Sequence, residues 1–206
     1  MISTPSGHAQ GDHRYPVLYL LDARKNFTHT VGLVRFQQRL GNMPPLIIVG
    51  VVNTNRGRDM TPATGDQESV VQENGGVEDF LRFLREEVFA LIERDYRGSP
   101  HRALIGHSLG GLTALHALVH HPEDYAAYLA ISPSLWWDDQ ALVAHAAVEF
   151  AKRPRSMDRL YMTLGNEDGR MRSGFLRLQA LLSEGAPDGL RWQAQLLDDE
   201  NHVSVP

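Results

Sequence analysis

Residues 102–106 read as a short buried strand that runs without a spacer into Gly106-His107-Ser108-Leu109-Gly110-Gly111 and then into the helical pattern Leu112-Thr113-Ala114-Leu115. A strand that becomes a helix within so few residues has little conformational choice. The turn is so tight that side chains at the flanking glycines would collide, and the serine is held in a strained backbone conformation. The serine oxygen is left at the C-terminal edge of a sheet, over a helix N-terminus whose dipole and free N–H groups favour a developing anion. The pattern predicts a nucleophile at Ser108. A chance pentapeptide in a Gly-rich turn would need neither the strand before it, the helix after it, nor the small Gly111 beside it.

The rest of the chain repeats the alternation of short apolar runs and longer helical patterns. Strands are expected over residues 15–21, 46–52, 102–106, 128–131, 160–164 and 191–197, and helices over 27–40, 77–92, 110–120, 140–151 and 171–182. In the helix at 77–92, Val77, Phe80, Leu81, Leu84, Val88, Leu91 and Ile92 fall on one face. The near-continuous apolar run at 46–52 implies burial on both faces. Such alternation implies an α/β three-layer sandwich, a mostly parallel sheet of about six strands with helices on its faces. The polar stretch 53–76 is long for a connection, and loops of that length are usually functional or mobile. With 206 residues, one domain is expected over 15–206, preceded by a disordered or loosely ordered tail over 1–14.

Twenty Lys and Arg against twenty-five Asp and Glu give a formal charge of −5 with no basic block, which disfavours nucleic acid as a partner. The chain has no cysteine, so disulfide scaffolds, thiolate catalysis and Cys-based zinc sites are excluded. No apolar run approaches the ~18 residues of a membrane helix. The N-terminus has no signal-peptide pattern, so the chain as written is expected in the cytoplasm, or in the periplasm if its true start lies upstream. His116 and His120 share a helix face, but no third ligand or general-base glutamate accompanies them. No phosphate or dinucleotide fingerprint occurs. Neither metal nor cofactor is expected, and nothing in the sequence speaks to oligomeric state.

A serine hydroxyl needs a base. Of ten histidines, His202 alone follows a strand in the last loop, which suits both the sheet edge and the chain order Ser, acid, His of a nucleophile elbow. The strand over 160–164 ends in Gly165-Asn166-Glu167-Asp168-Gly169, so Glu167 or Asp168 can orient the imidazole, Glu167 being preferred. Oxyanion donors are expected at the N–H of Leu109 and, from the loop after the first strand, of Arg24.

Taken together, the run from Tyr15 to Asp22, the segment Asn53-Thr54-Asn55-Arg56-Gly57-Arg58-Asp59-Met60-Thr61-Pro62, the elbow, Ile131-Ser132-Pro133-Ser134-Leu135-Trp136-Trp137 and Asn201-His202 resemble the putative-esterase (esterase D-like) branch of the α/β-hydrolases. Within it the likeness is to hydrolases related to bacterial siderophore (enterobactin-type) esterases. The resemblance implies a cofactor-free serine esterase acting on small carboxylic esters. It implies Ser108 as nucleophile, His202 as base, Leu109 as oxyanion donor and Glu167 as the acid. Ala23 stands where the family usually has glycine. Family members also carry strands before Tyr15 and a helix after the histidine, so the domain is expected to be incomplete at both ends, with a weakly anchored His202 and low turnover.

Arg56 and Arg58 are candidates to meet an anionic or catechol-like substrate, or to order their own loop through salt bridges. Trp136 and Trp137 are candidates to wall an aryl or acyl pocket, or to cap the core. The rival functions are acyl transfer to another alcohol through the same residues, and an inactive α/β-hydrolase domain serving as a binding module.

Overall fold

The computed structural model describes residues 1–64, 71, 73–153, 155–167 and 169–205. Its strands are β1 (Ile2–Ser3), β2 (Tyr15–Leu20), β3 (Ile47–Gly50), β4 (Gly98–His107), β5 (Ala127–Ile131), β6 (Arg159–Gly165) and β7 (Arg191–Leu197). The helices are α1 (Ala23–Arg39), α2 (Arg56–Met60), α3 (Val77–Phe83), α4 (Phe89–Asp95), α5 (Leu109–His120), α6 (Ala141–Lys152) and α7 (Gly169–Gly185). A π-turn over Leu84–Val88 joins α3 to α4, so the periodic stretch expected as one helix is continuous. Among the described residues no helix is long and apolar enough to cross a membrane.

The seven strands form one sheet in the order β1-β3-β2-β4-β5-β6-β7. All neighbours are parallel except β1, which pairs antiparallel with β3. The seventh strand lies within the expected tail. Ile2 and Ser3 sit opposite Val49 and Ile48, and the Met1 ammonium donates to the Gly50 carbonyl at 2.8 Å. Without that pairing, β3 would carry an open row of backbone donors and acceptors at the sheet edge. His8 adds a hydrogen bond to the Tyr96 carbonyl.

Side chains alternate across a strand, and this sheet uses both faces unequally. Val17 and Tyr19 of β2, Ile47 and Val49 of β3, Leu104 of β4 and Tyr128 of β5 face a large core shared with α3, α4, α5, α6 and α7. Leu18, Leu20 and Ile48 face a smaller cluster with Phe27, Val31 and Val34 of α1. The result is the expected three-layer sandwich, an α/β-hydrolase arrangement. Every strand of the parallel set ends on the same edge, where the loops after β2, β4, β5, β6 and β7 meet.

Candidate active site

Ser108 joins β4 to α5 with φ 61° and ψ −118°, a conformation that L-residues rarely adopt. What allows it is the absence of a side chain at Gly106, where a Cβ would lie 2.2 Å from the Gly110 carbonyl oxygen. A Cβ on Gly111 would lie 2.9 Å from Pro133 Cα. Gly110 differs from the sequence expectation: a Cβ there would meet Leu21 Cβ at 3.4 Å, an ordinary contact. The tight positions are therefore Gly106 and Gly111.

His202 lies in the turn after β7, with Nε2 3.0 Å from Ser108 Oγ and Nδ1 2.9 Å from Glu167 Oε2. A carboxylate only accepts, so Nδ1 carries a proton toward Glu167, and Nε2 is left to accept from the serine hydroxyl. Glu167 is largely buried, with 9% of its side chain exposed, whereas His202 is 38% exposed. The loop carrying His202 was expected to be weakly anchored. It is shaped by Asn201, whose Oδ1 accepts from the Val203 and Ser204 N–H groups. The Asn166 N–H donates to the Glu200 carbonyl, and Gly165 lets Asn201 approach so closely that a Cβ would come within 2.9 Å of it. Asp168, the alternative acid, lies outside the described residues.

Leu109 opens α5, so its N–H has no partner within the helix. Asp22 turns the chain into α1 with φ 53°. The Ala23 N–H donates to the Val51 carbonyl, and those of Lys25 and Asn26 donate to the Asp22 carbonyl. Among the described residues, the N–H groups of Asp22 and Arg24 in this turn have no backbone acceptor.

The other candidates separate. Arg56 grips Asp22 with both forks, Nε to Oδ1 at 2.6 Å and Nη2 to Oδ2 at 2.8 Å, so its guanidinium is committed to the turn after β2. Arg58 pairs with Asp59 at 2.6 Å, which raises its pKa. It also lines an open cleft of about 480 Å³ with Asn53, Thr54, Phe80 and Phe83. Trp137 is 3% exposed and donates its Nε1–H to the Pro62 carbonyl, so it packs the core. Trp136 lies half-buried beside it, ring centroids 5.8 Å apart. His116 bonds Glu78 at 2.6 Å. Among the described residues no group of three or more His, Asp or Glu is arranged for a metal ion.

One residue of the site was not singled out from the sequence. Ser134, in the loop after β5, brings its Oγ to 3.3 Å from Ser108 Oγ and donates its N–H to the Ser108 carbonyl at 3.1 Å. Only the quoted Ser-Pro-Ser stretch after that strand marked its neighbourhood.

The sequence profile of the family described as Putative esterase matches residues 1–203. The ferri-bacillibactin esterase BesA of Bacillus subtilis is 31% identical over 215 residues, spanning 93% of this chain and 74% of that protein. The siderophore enterobactin esterase of Emericella nidulans is 33% identical over 161 residues, 68% of this chain and 53% of that one. Among solved structures, an IroE-like serine hydrolase from Shewanella oneidensis superposes with a TM-score of 0.92 at 33% identity, covering 98% of this chain and 70% of that one. With the nucleophile elbow and the parallel sheet already in place, these matches establish that the chain belongs to the Putative esterase family of α/β-hydrolases and is a serine esterase.

Proposed function

We propose that this esterase works through an acyl-enzyme on Ser108, with His202 as base, Glu167 as its orienting acid, and the Leu109 and Arg24 N–H groups as the oxyanion hole. The observation that carries this reading is the continuous chain of contacts from Ser108 Oγ through His202 to Glu167, at 3.0 and 2.9 Å. Ser108 Oγ adds to the ester carbonyl carbon as its proton passes to His202 Nε2. The carbonyl oxygen becomes an oxyanion between the two backbone donors. His202 then returns the proton to the departing alcohol, and the C–O bond breaks. A water molecule repeats the sequence on the acyl-enzyme, releasing the acid and restoring Ser108. Glu167 holds the Nδ1–H tautomer and stabilises the imidazolium formed in both halves.

The substrate class we propose is a siderophore-like ester. BesA and the Emericella enzyme are named for such substrates. The cleft beside Arg58, Phe80 and Phe83 offers a planar cation and aromatic surface to the non-reacting part of a ligand. The test is a fluorophosphonate label with hydrolysis of an aryl ester and a catecholate triester. Labelling at Ser108, lost with hydrolysis in a folded Ser108→Ala variant, is the expected result. A folded wild-type protein that neither labels nor hydrolyses would instead support the binding-module reading.

A further inference from the structure

We propose that His107, the residue before the nucleophile, is a positioning residue for the base: its imidazole holds the main chain of His202 and so sets the distance from His202 to Ser108. The inference rests on the reading of His202 as the base.

His107 ends β4, and its Nε2 lies 2.6 Å from the His202 carbonyl oxygen. A carbonyl only accepts, so Nε2 carries the proton and donates it. The two rings also pack against each other, centroids 4.7 Å apart and tilted by 44°. His202 already commits both ring nitrogens, one to Ser108 and one to Glu167. Those bonds aim the ring but act at the end of a side chain whose backbone belongs to a loop. The Asn201 bonds to Val203 and Ser204 shape that loop from within and tie it to nothing outside. His107 supplies an external tie, and it comes from the residue next to the nucleophile. Ser108 and His202 are thereby joined twice, once through Oγ and Nε2 and once through His107 and the His202 backbone. Any drift of the loop stretches both links together.

The charge of the tie matters as much as its reach. During turnover His202 becomes a cation, and a second fixed cation at this separation would oppose it. Among the described residues, the charged or titratable groups acting on His107 are the Asp22 carboxylate, the Arg56 guanidinium and the His202 ring. Burial is the largest influence and lowers the His107 pKa. Its bond to the His202 carbonyl pushes the other way, His202 itself lowers the pKa further, and the net direction is down. The direction favours the neutral donor that the geometry calls for beside His202. A lysine or arginine would donate but bring charge, and a phenylalanine would pack but not donate. The sequence motif named this histidine without giving it work; the contact to the base loop does.

The experiment compares wild type, His107→Phe and His107→Gln, the last keeping a neutral donor of similar reach. The readouts are aryl-ester kinetics, the rate of fluorophosphonate labelling at Ser108, and the imidazole ¹⁵N resonances of the wild-type protein as pH is varied. In the phenylalanine variant, kcat and the labelling rate are expected to fall roughly 10- to 100-fold with KM nearly unchanged, the scale of a misplaced catalytic group. Glutamine should recover most of that loss. The resonances should show His107 as the neutral Nε2–H form at the pH of the kinetic assays. Wild-type rates in the phenylalanine variant overturn the proposal. So does glutamine that rescues nothing, or a His107 that carries its proton on Nδ1. Should the phenylalanine variant fail to fold, the glutamine kinetics and the wild-type resonances decide. Failure of wild type to label at Ser108 strikes the underlying reading instead, so the two failures are distinct.

Discussion

Glu167 turns Oε2 to His202 Nδ1 at 2.9 Å and keeps Oε1 buried with no hydrogen-bond partner among the described residues. A turn residue of no further purpose would face water and satisfy both oxygens, since a buried unpaired acceptor carries a desolvation cost. Here the carboxylate's one bond is spent on the imidazole. Glu167→Gln is expected to lower kcat by orders of magnitude, up to about 10⁴-fold, because an amide can donate to Nδ1 and select the wrong tautomer. Asp168→Asn should cost little. Steady-state kinetics of the two variants check this, and the reverse ranking moves the orienting role to Asp168.

Ser134 gives a second prediction. It is 2% exposed, and its hydroxyl lies 3.3 Å from Ser108 Oγ. The Ser108 proton points to His202, so Ser134 is the donor and Ser108 the acceptor of that contact. A donor on the nucleophilic oxygen steadies it as its own proton leaves. Ser134→Ala is expected to lower kcat/KM about fivefold, the equivalent of ~1 kcal/mol for one hydrogen bond, with the melting temperature nearly unchanged. Unaltered kcat/KM would reduce the contact to packing.

Arg56 and Arg58 are two residues apart but should fail differently. The forked pair from Arg56 to Asp22 braces the turn that presents the Arg24 N–H, and Arg56 Nη2 also reaches the His107 carbonyl at 3.4 Å. Arg56→Ala should lower kcat roughly tenfold with little change in KM, since losing an oxyanion donor outright costs ~10²–10³-fold and loosening one costs less. Arg56→Lys should recover little, because a point charge cannot make the forked pair. Arg58→Ala should raise KM for a large aromatic ester and spare a small one. Equal behaviour of the two alanine variants would contradict this division.

The elbow glycines offer a test of stability alone. At Gly106 a methyl group would strike backbone, which cannot move without dismantling the turn, whereas at Gly110 it would touch a leucine side chain at ordinary distance. Gly106→Ala is expected to cost ~3 kcal/mol or more, lowering the melting temperature by roughly 6–12 °C for a chain this long. Gly110→Ala, in the first turn of α5, should be close to neutral. Thermal denaturation of both variants decides it.

These contrasts mark what was legible in the sequence. The strand, the elbow and the helix after it are encoded within a dozen consecutive residues, so Ser108 and the layered architecture could be read directly. A meeting of His202 with an acid of the turn after β6 followed because the ends of parallel strands converge on one edge. What escaped depends on partners distant in the chain. Strand β1 exists because β3 offers an open edge, which no property of Ile2 and Ser3 announces. Ser134 approaches Ser108 because β5 lies in register beside β4, Ile131 opposite His107. For Arg56 the sequence left a substrate contact and a salt bridge both open, and its partner is Asp22, thirty-four positions away. For Trp137 the sequence left a pocket wall and a core cap both open, and it is the Pro62 carbonyl, seventy-five positions away, that draws it into the core.

The histidines of α5 predict a response to acid. His120 lies against a tilted His116 ring, centroids 4.5 Å apart, and edge-on to His145 at 5.7 Å, and its pKa is lowered from 6.5 to about 4. Burial is the main cause and the His116 charge the next, with Glu78 acting in the opposite direction. The unfolded chain takes a proton on His120 near pH 6.5, and the folded chain refuses it until about 4. Folding stability therefore drains away as pH falls through that window. Glu78, held down to about 2 chiefly by its hydrogen bond to His116, adds a second loss between about 4.5 and 2. The partial exposure of both groups tempers each effect. Equilibrium denaturation at a series of pH values should show a shallower decline between 6.5 and 4 in His120→Gln than in wild type, because glutamine binds no proton in either state. Glu78→Gln should alter the slope only at the more acidic end. If His120→Gln declines as steeply as wild type from pH 6.5 to 4, the half-buried imidazole is not what makes this protein sensitive to acid.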